Sequence, residues 1–128
     1  MSSYGIERTV DLSFDQAVTK VTDELKGEGF GILTTIDVRD TLKKKLNVDF
    51  HNYIILGACN PPLAHRVLEA DDQAGLLLPC NVVVQESGGR TRVSAFDPLT
   101  MGKIMVNPEV EPLAAEVRKK LERVIAKV

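Results

Sequence analysis

The run Tyr53–Cys59, with the Asn60-Pro61-Pro62 that follows it, constrains this chain more than any other stretch. Ile54, Ile55 and Leu56 are consecutive, so the run is apolar on both faces, the pattern of a central strand covered from both sides. Asn60 then offers an N-cap oxygen, and Pro61 and Pro62 stand where a helix has no use for an N–H. A strand is therefore delivered straight into a helix. Leu63, Ala64, Val67 and Leu68 give that helix its buried side, and it ends before Asp71-Asp72.

The flanking sequence supplies the rest of a sheet. Tyr4–Val10 fits a first strand with Ile6 and Val10 on one face. Ser13 and Gln16 have the capping-box spacing; Phe14, Ala17, Val18, Val21 and Leu25 form one helical stripe, which Gly27 and Gly29 stop. Phe30–Val38 predicts a second strand with Phe30, Ile32, Thr34, Ile36 and Val38 on one face. A short helix follows over Asp40–Leu46, and its Lys43-Lys44-Lys45 reads as a solvated face because no Gly-rich phosphate loop accompanies it. Leu76–Leu78 and Asn81–Gln85 predict a strand interrupted by Pro79, which cannot donate to a ladder. Ser87-Gly88-Gly89 is a hairpin turn, Thr91–Phe96 its return strand, and Gly102–Val106 a candidate for one more short strand. Asn107 and Pro108 open a last helix with Val110, Leu113, Ala114, Val117, Leu121, Val124 and Ile125 inside. The order β-α-β-(α)-β-α-β-β-α predicts one α+β domain over 1–128. Its sheet is largely antiparallel, with two long helices and shorter ones on one face.

Composition narrows the function classes. Sixteen basic residues against eighteen acidic ones leave a charge of −2, unlike the basic domains that bind nucleic acid. With no Trp, two Tyr and four Phe there is little surface for stacking bases. The longest apolar runs, Tyr53–Cys59 and Gly75–Pro79, fall far short of the roughly 20 residues of a membrane span. Met1–Arg8 has no apolar leader core. The expectation is a soluble, cytoplasmic protein without nucleic-acid or membrane partners.

The two cysteines carry most of the chemical interest, and each is followed by asparagine. Cys59 ends the apolar strand just before a helix start, where the helix dipole favours thiolate and lowers the pKa. Cys80 follows Pro79 and reaches the level of Cys59 if its strand restarts at the far end of its neighbour. Two inert core thiols account for the pattern equally well, since free cysteine packs as a small hydrophobe. His51 and His65 are the only histidines, and no C-x-x-C or H-E-x-x-H spacing occurs, so no metal is expected. Asp37 and Asp97 stand at strand ends as candidate bases or cation ligands, although Asp97-Pro98 is first a turn signal. There is no G-x-S-x-G and no P-loop. Gly27-Glu28-Gly29-Phe30-Gly31 precedes a strand, whereas a dinucleotide fingerprint follows one.

Gly57-Ala58-Cys59-Asn60-Pro61 and Leu77-Leu78-Pro79-Cys80-Asn81, with Gly29-Phe30-Gly31-Ile32 before them and Asp97-Pro98 after, form a pattern spread over most of the chain. It resembles the small prokaryotic proteins of domain-of-unknown-function family 302. The resemblance implies a compact α+β fold of the broad TATA-binding-protein-like kind, without implying DNA binding. It places Cys59, Asn60, Pro61, Cys80, Asn81, Asp97 and Pro98 on motif positions and assigns them no role.

Three functions fit. The first is an accessory or ligand-binding domain with a site at Cys59, Asn60, Pro61, Cys80, Asn81 and Asp97. There the N–H groups of Asn60–Leu63 would favour a small anionic ligand. The second is a thiol-dependent enzyme or redox protein with Cys59 as reactive thiolate and Cys80 as resolving partner. The third is a pure interaction or assembly protein. Leu33, Thr35, Val83 and Phe96 are expected on the sheet face without helices, which predicts a homodimer. No cofactor is specified by any motif.

Overall fold

The computed structural model describes residues 3–128; Met1 and Ser2, part of the stretch read for a leader, lie outside them. Strands β1 (Gly5–Val10), β2 (Gly31–Asp37), β3 (Asn52–Cys59), β4 (Cys80–Ser87) and β5 (Arg90–Phe96) form one sheet in the order β1-β5-β4-β3-β2. Every neighbouring pair is antiparallel. Alternation sets the two faces: Leu56 and Ala58, Val82 and Val84, Val93 and Ala95 are buried on one of them. That face is covered by helices α1 (Phe14–Gly27) and α5 (Val110–Lys127), which touch each other and the sheet. The core is thus one layer between sheet and helices, the α+β arrangement expected.

Local signals explain the helices. The Gln16 N–H donates to Ser13 Oγ at 3.2 Å and the Ser13 N–H to Gln16 Oε1 at 3.1 Å, the full capping box. At the other end Gly29 takes φ +86°, and the Phe30 N–H returns to the Leu25 carbonyl at 2.9 Å. This left-handed stop seats buried Phe30 beside the helix it has just left. All seven stripe residues of α5 predicted from the sequence are buried. Its opening turn is held by Asn107, whose Oδ1 accepts the Glu109 N–H at 2.9 Å; the regular helix starts at Val110. Gly88 and Gly89, at φ +61° and +76°, make the two-residue hairpin turn that matches strand twist.

The structure corrects several expectations. β4, not β3, is the middle strand, and β3 is covered on one face only, with Ile55 on the open side. In β2 the register slips at Leu33, between the pairs Ile32↔Ala58 and Thr34↔Gly57. One extra residue inverts the alternation, so Ile32 stays with the core while Thr34 and Ile36 turn to the open face. Thr35, paired with Leu56, lies on the helix side instead of the open one. Val38 already belongs to α2 (Val38–Leu46), which Asp37 caps by accepting the Asp40 N–H at 3.0 Å. Lys43 and Lys44 pair with Asp49 and Asp40, each at 3.0 Å on the surface, a solvated face as read.

Leu76–Leu78 is not strand. Asp72–Leu77 is a 3-10 helix capped by Asp71, and β4 starts only at Cys80. Gly102–Val106 is not strand either, because α4 (Pro98–Ile104) occupies this region, with Asp97 accepting the Leu99 N–H at 3.0 Å. Asp97-Pro98 is the same N-cap and proline device as Asn60-Pro61, which caps α3 (Pro61–Ala70).

Leu121 is fully buried on α5. Leu121→Ala should lower unfolding free energy by about 2–5 kcal/mol in urea denaturation. A loss of less than about 0.5 kcal/mol, typical of surface positions, would contradict the packing of α5 on the sheet.

Candidate functional site

Antiparallel pairing brings the two Cys-Asn segments together. Ala58 opposes Cys80, so the last residues of β3 and the first of β4 share one end of the sheet. The strand does not restart at the far end of its neighbour, the condition set in the sequence reading: the chain leaves through α3 and returns through the 3-10 helix and Leu78-Pro79 to the same level. Gly57 makes this return possible. A Cβ there would collide with Thr34 Oγ1 and approach Pro79 Cγ to 2.9 Å. Only a bare backbone lets β2 and Pro79 close over β3 at this point.

Between this sheet end, α3, α4 and α5 lies a cavity of about 300 Å³. Its walls are almost wholly apolar, including Phe30, Leu63, Val67, Leu78, Met101 and Val117, and no charged side chain lines it. Leu33 and Leu68, 65% and 39% exposed, also border the cavity and place it in reach of solvent. Cys59, Asn60 and Cys80 contribute its few polar atoms.

Asn60 is engaged locally at both ends of its amide. Its Oδ1 accepts the Leu63 N–H and its Nδ2 donates to the Glu28 carbonyl, both at 3.4 Å. Pro61 and Pro62 have no N–H, and the Ala64 N–H goes to the Asn60 carbonyl at 2.9 Å. Of the donors expected at the start of α3 for an anion, those of positions 61–63 are therefore already used or missing.

The other expected site residues divide by position. Pro61 is exposed at the first turn of α3. Asn81, paired with Gly57, is exposed on the open face of the sheet. Asp97 caps α4 and lies 3.6 Å from Arg118. Of that segment only Pro98 reaches the cavity, so the structure joins Cys59, Asn60 and Cys80 and leaves Pro61, Asn81 and Asp97 aside. Met101, Leu78 and Val117 were missed as wall residues. Only Val117 carried a sequence signal, its place in the α5 stripe, and that signal says core.

Both thiols are free. Burial pushes the Cys59 thiol above its ordinary value, opposite to the lowering expected from the helix dipole. Cys80 is buried, and desolvation, with a contribution from a charge on Cys59, pushes its thiol up to about 11. Desolvation sets the direction here, and no charged side chain lines the cavity to hold a thiolate.

Comparison with known proteins places this geometry in a wider set. The family model for the domain of unknown function DUF302 matches residues 6–128. The crystal structure of an uncharacterised conserved DUF302 protein from Bacillus stearothermophilus is 29% identical, covers 98% of each chain and superimposes with a TM-score of 0.91. No curated protein matches the sequence. Among the described residues no helix is long and apolar enough to cross a membrane.

The raised thiols set a pH dependence. A thiol kept protonated by the fold contributes nothing pH-dependent below its unfolded value near 9.0; above it, stability falls until pH passes about 11. Wild type should therefore lose stability more steeply than Cys80→Ala across this window in urea titrations, and iodoacetamide should label Cys59 before Cys80. Equal slopes, or Cys80 labelled first at neutral pH, would contradict the buried, protonated thiol.

Proposed function

Because the chain belongs to the DUF302 family, whose function is unknown, we propose its function from the cavity: an accessory domain that binds a small apolar molecule. The single observation that carries this reading is an apolar recess of about 300 Å³ without a charged lining residue, the lower end of the usual range for ligand sites. Transfer of apolar surface into it is favoured by about 25 cal/mol per Å². An anionic ligand, by contrast, would meet no cationic side chain among the lining residues. The thiol-enzyme reading is weaker for the same reason. Neither a carboxylate nor an imidazole lines the cavity to take the proton from Cys59 or Cys80. Free cysteines suit the reducing cytoplasm, where we place the protein.

An apolar fluorophore tests the cavity. N-phenyl-1-naphthylamine should brighten with the wild-type protein, and Ala64→Trp, which fills the recess from α3, should weaken binding about tenfold or more. Asn81→Ser, on the opposite face, should leave it unchanged. Equal binding by Ala64→Trp, with an unchanged melting curve, would remove the cavity as the binding site.

A second reading rests on the open sheet face, where Ile36, Ile55, Val83 and Phe96 lie among Thr34, Gln85, Arg92 and Ser94. We propose that a second copy covers it, forming a homodimer. Light scattering should give twice the 14.1 kDa chain mass at micromolar concentration, and Ile55→Asp should return the chain mass itself. A wild-type protein of single-chain mass would refute the dimer.

A further inference from the structure

The lining of the cavity restricts where a ligand can be polar. Its walls are almost wholly apolar, and among the described residues no charged side chain reaches them. The Asn60 amide on the wall is engaged at both ends, and the thiols of Cys59 and Cys80 are weak hydrogen-bonding groups. A ligand with hydroxyls or amides along its whole length, such as a sugar or a peptide, would give up water there for few partners. The polarity of the ligand is therefore gathered at one end.

The mouth says which end. Leu33, at the bulge of edge strand β2, and Leu68, on α3, line the cavity and are exposed. Phe30, Leu63, Met101 and Ala114 line it and are buried. The recess thus has an inner part away from water and an outer part at Leu33 and Leu68, where a polar end keeps its hydration. Phe30 is the single aromatic side chain of the lining, so a flat ring system gains little stacking. Leucine and methionine walls adapt instead to a flexible chain. An apolar cavity of about 150 Å³ holds one benzene ring, so this one, at about 300 Å³, holds about twelve carbon atoms.

We propose that the cavity takes a single-chain amphiphile, a fatty alcohol or a fatty acid, with its alkyl chain inside and its head in water at Leu33 and Leu68. This inference rests on the apolar-ligand reading and names the ligand class. The head touches no charged lining residue, so chain length, and not head charge, sets the affinity.

The test is displacement of N-phenyl-1-naphthylamine from the full chain. The competitors are straight-chain alkanols and alkanoates of about eight to fourteen carbons, each below its micelle concentration. Affinity should rise about fourfold per added methylene and level off beyond about twelve carbons. At equal chain length decanol, decanoate and decyltrimethylammonium should bind within about threefold of one another. At low salt, Leu68→Lys should shift preference toward decanoate about threefold, and Leu68→Asp should shift it toward decyltrimethylammonium by as much. The wild-type series needs no variant, which keeps the test valid if a substituted chain fails to fold. Affinity independent of chain length, a wild-type preference of about tenfold or more for one head charge, or folded Leu68 variants with unaltered preference would each overturn the amphiphile. If the fluorophore brightens and the chain-length series is flat, this inference fails alone. If the fluorophore does not brighten, the apolar-ligand reading fails and takes this one with it.

Discussion

The pairing of Ala58 with Cys80 is the constraint on which the rest of the structure depends. It fixes where β3 ends and β4 begins, and so requires α3 and the 3-10 helix to form a loop that closes on itself at one end of the sheet. A loop of this kind cannot pack flat on the sheet edge. It encloses space, and α4 and α5 complete the enclosure. Gly57 is the enabling residue, because any side chain there would push away either Thr34 of the edge strand or Pro79 of the returning chain. The cavity is therefore a consequence of register, not of a gap in core packing.

A second set of contacts holds its frame. Glu28, just past the end of α1, accepts from Asn60 through its carbonyl and from Arg123 of α5 through both carboxylate oxygens, at 2.8 and 3.1 Å. The Arg123 hydrogen bonds hold the Glu28 carboxyl below its usual value. The pair is at the surface and adds little stability by itself. Its effect is positional: the end of α1, the start of α3 and the last turns of α5 meet at one residue. Asn60 thus acts as a strut between helices as well as a cap.

Legibility in the sequence followed the range of the interaction. The capping box of Ser13 and Gln16 and the α5 stripe are local, and both were readable because the residues that satisfy each other lie within a few positions. The Leu33 bulge was not readable, since nothing within β2 marks the residue at which alternation inverts; the residues that flank it pair with Ala58 and Gly57 of another strand. β3 looked central because Ile54, Ile55 and Leu56 are all apolar, yet Ile55 faces the open side. Leu76, 82% exposed, misled in the same way: an apolar residue is not proof of a strand. Asp97-Pro98 was read as a turn although Asn60-Pro61, the same device, was read as a helix start. The difference lay in what followed, since Leu99, Met101 and Ile104 make a weaker stripe than Leu63, Val67 and Leu68.

The candidate site shows the same division more sharply. Sequence proximity to a helix N-terminus suggested an ionised Cys59 and an anion beside it, and both inferences assumed that the dipole acts through free N–H groups. The two prolines remove those groups and Asn60 takes the next one, so the helix start is electrically quiet toward the cavity. What then governs the thiols is the medium around them, set by residues that arrive from α4, α5 and the 3-10 segment. An apolar medium keeps both thiols protonated. The Cys-Asn motifs therefore mark the place of an apolar recess, because they lie where two strands must meet.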